Sequence, residues 1–197
     1  MSRRTLILFA KTPRAGLVKS RLARDIGLGP ATRWYRHNLA QTLRRLGKHA
    51  LWDCWVFGTP HHAARWPWPN PWGFRQQVRG DLGRRMGAAL HAFKDRPTVL
   101  IGSDIPGIEP RHISAAFKEL GRSDAVFGPS ADGGYWLVGF SPRYAGNPFG
   151  EVRWSTEHAL ADTLRGFPAG RRIGLIGTLR DVDTGADLSA AAQSERP

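Results

Sequence analysis

The chain has a single cysteine, Cys54. One thiol excludes an internal disulfide and any thiolate zinc cluster, and within the apolar run 52–57 it reads as a small buried hydrophobe. Long apolar runs are missing as well. No stretch approaches the ~18–20 residues of a membrane helix. The start Met1-Ser2-Arg3-Arg4 leads into only Thr5 to Ala10 before Lys11 interrupts, too short for the apolar region of a signal peptide. A cytoplasmic location is expected. Acidic residues are scarce in the first half: residues 1–100 hold 4 acidic and 19 basic groups, whereas residues 101–197 hold 12 and 10, so the net +13 divides into +15 and −2. A nucleic-acid surface would want basic groups throughout. Acids clustered at Asp104, Asp132, Asp181 and Asp183 point instead to a metal site facing a phosphate site. Lysine is rare too, since 24 of the 29 basic residues are Arg. The forked guanidinium suits phosphate oxygens, although Arg richness is also a common effect of genome composition.

What is present is a globular composition, 41% hydrophobic and 23% charged over 197 residues. That favours one domain over 1–197 with a flexible tail from about 189. Short apolar runs alternate with amphipathic segments, the pattern of an α/β protein with a mainly parallel sheet. Strands are expected at Thr5–Ala10, Trp52–Phe57, Pro97–Ile101, Asp124–Gly128, Tyr135–Phe140 and Arg172–Ile176. Helices are expected at Pro30–Leu46, stopped by Gly47, and at Asp81–Phe93, Glu109–Leu120, Trp154–Leu164 and Ala186–Ala192. Trp66-Pro-Trp-Pro-Asn-Pro-Trp72 fits neither helix nor central strand and must be a loop. Its indoles either cover the core edge or make a partner contact, which opens a homodimer through Trp66–Trp72.

Three stretches carry candidate chemistry. Lys11-Thr-Pro-Arg-Ala-Gly-Leu-Val-Lys-Ser-Arg21 follows the first strand, where open α/β sheets bind ligands. Four cations, Lys11, Arg14, Lys19 and Arg21, surround Gly16, whose missing side chain lets backbone amides approach a phosphate. The bland alternative is a solvated basic turn, and neither a Walker A nor a Gly-x-Gly-x-x-Gly spacing is present. Asp104, in Ile101-Gly-Ser-Asp-Ile-Pro106, ends an apolar strand and points a carboxylate at the crevice unless it only satisfies loop amides. Asp181 and Asp183 alternate with Val182 and would project to one side, with Thr184 capping the last helix. Oxygen ligands without Cys select Mg²⁺ or Mn²⁺. Asp132-Gly-Gly134 reads as a hairpin turn of type I′ with positive φ at both glycines. Asp132 is also a catalytic candidate, through a charge that would orient an acceptor hydroxyl or reach the ion through water.

Five segments in order, Phe9–Leu22, Gly80-Asp-Leu-Gly-Arg-Arg-Met86, Ile101–Pro106, Gly128-Pro-Ser-Ala-Asp-Gly-Gly-Tyr135 and Leu179-Arg-Asp-Val-Asp-Thr184, resemble a bacterial family of small glycosyltransferase-like proteins, known as a domain of unknown function or as arsenosugar-biosynthesis-type transferases. The resemblance spans nearly the whole chain. It implies a three-layer α/β/α, mainly parallel mixed sheet of the nucleotide-diphospho-sugar transferase type, GT-A-like and Rossmann-like, related to the phospholactate and molybdopterin-cofactor guanylyltransferases. It further implies that Asp104 and Asp183 are metal carboxylates and that Lys11, Lys19 and Arg21 are phosphate ligands. Beside it, Asp104 and Asp132 are expected to be catalytic, and Gly16 and Asp81 to join Lys11, Lys19 and Arg21 in binding nucleotide and phosphate. Ser20 stands where the family usually has Thr, and Arg84 where Glu is frequent. The expected activity is a metal-dependent transfer from a nucleotide sugar to a small-molecule acceptor. The alternatives are a nucleotidyltransferase moving NMP from a nucleoside triphosphate to a phosphorylated acceptor, and a non-catalytic nucleotide- or RNA-binding module.

Overall fold

Thr5–Ala10 is buried at every position, as the middle of a doubly covered sheet requires. Its side chains alternate: Leu6, Leu8 and Ala10 enter one apolar cluster, Ile7 and Phe9 the other. The computed structural model describes residues 3–49 and 51–194. Among them, strands β1 (Thr5–Lys11), β2 (Asp53–Thr59), β3 (Gly73–Gln76), β4 (Thr98–Gly102), β5 (Ala125–Pro129), β6 (Tyr135–Phe140) and β7 (Ile173–Leu175) form one sheet ordered β3-β2-β1-β4-β6-β5-β7. β6 runs antiparallel to β4 and β5, and the other pairings are parallel.

The helices are α1 (Ser20–Ile26), α2 (Leu28–Gly47), α3 (Leu82–His91), α4 (Pro110–Leu120), α5 (Ala159–Arg165) and α6 (Gly185–Ser194). Leu39, Leu43 and Leu46 of α2 and Ile113, Ala116, Phe117 and Leu120 of α4 cover one face of the sheet. Met86, Ala89 and Leu90 of α3 cover the other, with Leu160 and Leu164 of α5 packed alongside. Each buried Leu or Ile contributes about 1.5–3 kcal/mol of transfer free energy, so both faces hold helices firmly. The result is a three-layer α/β/α architecture with a mixed, mostly parallel sheet.

Several boundaries move. The helix expected over Trp154–Leu164 begins only at Ala159, because Ser155 has φ 62 and breaks the helical path. β3 is short and half polar, and α1 follows Lys19, a residue whose type gives no cap signal. The helix expected over Ala186–Ala192 spans Gly185–Ser194 as α6, and positions 195–197 of the expected tail lie outside the described residues. The Asp132-Gly-Gly134 turn is not type I′. Gly133 N–H donates to Ser130 O and Ser130 N–H to Gly134 O, and only Gly133 has positive φ (83). That is a three-residue hairpin loop with one left-handed residue.

The 66–72 segment is a loop, and two of its indoles turn inward. Trp72 is buried and donates from Nε1 to Leu43 O at 2.9 Å. Gly47 makes room for it, since a Cβ there would lie 2.7 Å from that nitrogen. Trp68 stacks on Phe74 and donates to Ala63 O, while half-buried Trp66 lies under the Arg36 guanidinium.

Candidate functional site

From central β1 the chain builds β2 and β3 to one side, then returns to place β4 on the other. The crevice outside the carboxyl ends of β1 and β4 is therefore the topological switch point, where such sheets bind ligands. Lys11 ends β1 and Asp104 follows β4 by two residues. A Cβ added to Gly102 would meet nothing within 4 Å, and neither would one on Gly16, whose φ is 80, so the backbone is open to a ligand at both places.

Asp104 and Asp183 converge on one nitrogen. Lys19 Nζ lies 3.2 Å from Asp104 Oδ2 and 2.8 Å from Asp183 Oδ1, so the two carboxylates are neighbours although they are distant in sequence. Arg21 Nη1 approaches the second oxygen, Asp183 Oδ2, at 3.4 Å. The side chains of Asp104 and Asp183 are 47% and 36% exposed, whereas that of Lys19 is 2% exposed. Lys19 is thus not a freely solvated cation of a basic turn. Its ammonium also sits 5.6 Å from the centre of the Trp34 ring, a favourable cation–π placement. Its backbone is left-handed, φ 50 and ψ 49, at the N-cap of α1.

Two arrangements hold these groups. Under Lys19 and Asp183, Leu22 of α1, Ala31 of α2 and Val182 form a small buried apolar cluster that docks the 180s segment. The start of α6 is then capped. Thr184 Oγ1 accepts from Asp187 N, and the Asp187 carboxylate accepts from Asp183 N and Thr184 N. Asp25 of α1 accepts from Gly185 N at 2.7 Å. On the strand side, Tyr35 is fully buried and its hydroxyl ties the loop to β4. It accepts from Lys11 N at 3.0 Å, lies 3.1 Å from Lys11 O and contacts Ser103 Oγ at 3.0 Å. Ser103 Oγ in turn donates to Asp104 Oδ1 at 3.4 Å, and Asn38 donates to Ser103 O at 2.9 Å. Burial and the Asp104 charge push the Tyr35 phenol above its ordinary range, so it stays neutral. Tyr35, Asn38 and Ser103 carry no sequence signal beyond lying on a helix face and after a strand.

The remaining candidates take these places. Asp132 Oδ1 accepts from Ser130 Oγ at 2.8 Å and from Gly134 N at 3.0 Å, so it shapes its turn. Burial raises the Asp181 carboxyl above its ordinary value, and the charges of Asp132 and Asp183 raise it further. Lys11 and Arg14 are exposed. Asp81 caps α3 by accepting from Arg84 N at 2.7 Å.

No group of three or more His, Cys, Asp or Glu gathers as a metal cage among the described residues. Asp104 and Asp183 nevertheless suit a hard divalent cation. Both offer oxygen, both are partly open to the crevice, and a cation already stands between them, the Lys19 ammonium. Magnesium commonly rests on one or two protein carboxylates and completes its shell with water and phosphate oxygens.

Residues 42–156 match the model of a family described as "Uncharacterized protein conserved in bacteria (DUF2064)". A solved structure of a putative nucleotide-diphospho-sugar transferase from Desulfovibrio desulfuricans G20 is similar over 100% of this chain and 89% of that one, with 31% identity and a TM-score of 0.90. A 4-diphosphocytidyl-2C-methyl-D-erythritol synthase from Anaerococcus prevotii shares the fold at 11% identity, TM-score 0.65, over 99% of each chain. So does a CMP:2-keto-3-deoxy-manno-octonic acid synthetase solved with CTP, at 14% identity and TM-score 0.55 over 98% and 100% of the two chains. No curated protein matches. No helix among the described residues is long and apolar enough to cross a membrane.

Proposed function

The chain belongs to the DUF2064 family of proteins conserved in bacteria, and from that premise we propose that it is a transferase acting on a nucleotide sugar at the β1/β4 crevice. One observation carries the reading. Two carboxylates from distant segments and two cations of the 11–21 loop meet at the switch point of a nucleotide-diphospho-sugar transferase fold. Phosphates would lie along Lys11, the open backbone at Gly16, Lys19 and Arg21, with Asp81 on the nucleoside side. Asp104 and Asp183 would hold Mg²⁺ or Mn²⁺, which when bound neutralises charge on the diphosphate. Arg21 and Lys11 stabilise the leaving phosphate oxygens as the bond to the sugar breaks. Asp132, held rigid by its turn, orients the acceptor hydroxyl. Tyr35 and Ser103 fix the distance between the loop and Asp104.

A second reading, nucleotidyl transfer from a nucleoside triphosphate, draws support from the sheet shared with a synthetase solved with CTP. The two differ in the bond broken. Glycosyl transfer cleaves the sugar C1–O bond and releases a nucleoside diphosphate, whereas nucleotidyl transfer attacks the α-phosphorus and releases pyrophosphate. Phosphorus NMR of reactions supplied with Mn²⁺, nucleotide sugars or nucleoside triphosphates, and candidate acceptors separates them. A nucleoside diphosphate product supports the first reading, and pyrophosphate replaces it with the second. If neither appears with any donor, the enzyme reading fails.

A further inference from the structure

Lys19 is an unusual phosphate ligand, because its ammonium is already taken. It bridges Asp104 and Asp183 at 3.2 and 2.8 Å, its side chain is 2% exposed, and Trp34 lies against it. The backbone behind it is in the left-handed region at φ 50, a conformation that a residue with a Cβ keeps only where its surroundings hold it there. Taking an ammonium out of water is costly unless its partners compensate it, and here only the cation is enclosed. The side chains of the two carboxylates keep 47% and 36% of their surface exposed.

We propose that Lys19 is an internal counter-cation that holds Asp104 and Asp183 closed to a divalent cation until the phosphates of a nucleotide draw its ammonium away, so that metal and nucleotide bind together rather than in turn. This rests on the reading of Asp104 and Asp183 as metal carboxylates. A divalent cation arriving alone meets a pair whose charge Lys19 and Arg21 already neutralise, and it must leave the ammonium enclosed beside it. Arriving with phosphate, it meets two carboxylates whose lysine has found other oxygens, three donors on a flexible stem being suited to such an exchange. Coupling of this kind is reciprocal, so metal must also strengthen phosphate binding. Lys19 belongs to a loop and not to a strand, so its side chain can change partners without disturbing the sheet.

The test counts free Mn²⁺ by its EPR signal during titration into the full chain with no phosphate present, for wild type, Lys19→Met and Lys19→Gly. The glycine variant accepts φ 50 without strain and guards against loss of fold in the other, and melting curves check both. The expected result is Mn²⁺ binding at least tenfold tighter in both variants than in wild type, returned to the wild-type level or below by adding Asp104→Asn. A second arm titrates inorganic tripolyphosphate without metal, where both Lys19 variants should bind more weakly than wild type. Equal Mn²⁺ affinity in wild type and variants would overturn the counter-cation role while leaving the carboxylate pair as a metal site. Absence of Mn²⁺ binding in all three proteins would overturn both.

Discussion

Lys19 and Asp183 stand 164 positions apart and are joined by a 2.8 Å hydrogen bond. The contact fastens the segment before α6 to the loop after β1, and it makes that segment part of the crevice. Asp183→Ala should therefore cost stability as well as nucleotide binding, by about 1–2 kcal/mol. That lies below the 3–5 kcal/mol typical of breaking a fully buried pair, because Asp183 is 36% exposed and Asp104 remains to neutralise Lys19. Urea denaturation of Lys19→Met, Asp183→Ala and the double variant measures it. The double variant should be less destabilised than the sum of the two singles.

Tyr35→Phe removes one hydroxyl and leaves the ring in place. Three polar groups lose a partner, Lys11 N, Lys11 O and Ser103 Oγ. A loss of about 1–3 kcal/mol in urea unfolding is expected, the usual cost of an unsatisfied buried group. Turnover should fall with it, because Ser103 no longer fixes Asp104. A variant as stable and as active as wild type would remove Tyr35 from the site.

The hairpin glycines should respond unequally. A Cβ on Gly133 would collide with the backbone of Glu157, in addition to the strain of φ 83. One on Gly134 meets only side-chain oxygens, Asp132 Oδ1 at 3.1 Å and Ser130 Oγ at 3.2 Å. Gly133→Ala should be the more destabilising, by at least about 1–3 kcal/mol. Asp132→Asn keeps the oxygen that accepts from Ser130 and Gly134. It is expected to unfold within about 0.5 kcal/mol of wild type and to turn over at least tenfold more slowly, about 1.4 kcal/mol of transition-state stabilisation.

Asp162 sets a pH dependence. Its buried carboxylate accepts from Arg153 N, Nε and Nη2 and from Arg165 Nη2, and the Arg153 bonds hold its pKa far below the ordinary 3.8. A depressed folded value means the stabilisation is complete above the unfolded value and is lost as pH falls below it. Wild type should lose stability more steeply than Asp162→Asn below about pH 4. Parallel pH profiles of the two melting temperatures would contradict this.

Most of the sheet was legible in the sequence because its central strands are continuous apolar runs that only a doubly covered sheet can bury. The carboxylates were legible for a related reason. Asp104 ends such a run, and Asp183 alternates with Val182, which is 1% exposed. What stayed hidden depends on contacts made at a distance. The enclosure of Lys19 requires Asp104, Asp183 and Trp34 to be assembled first, and the role of Tyr35 depends on β1 and β4 being neighbours. α1 was hidden because its N-cap is a left-handed lysine held by tertiary ion pairs. Gly73–Gln76 gives too short and polar a run to mark an edge strand.

The most direct test is a thermal-shift panel of nucleoside triphosphates and nucleotide sugars, with and without Mn²⁺, on wild type and Asp104→Asn. A ligand that binds the folded state raises the melting temperature by mass action. At least one nucleotide should raise that of wild type, more with Mn²⁺ than without, and the Mn²⁺-dependent part should vanish in Asp104→Asn. No shift with any nucleotide, or an equal shift in the two proteins, would contradict the assignment of this crevice to nucleotide and metal.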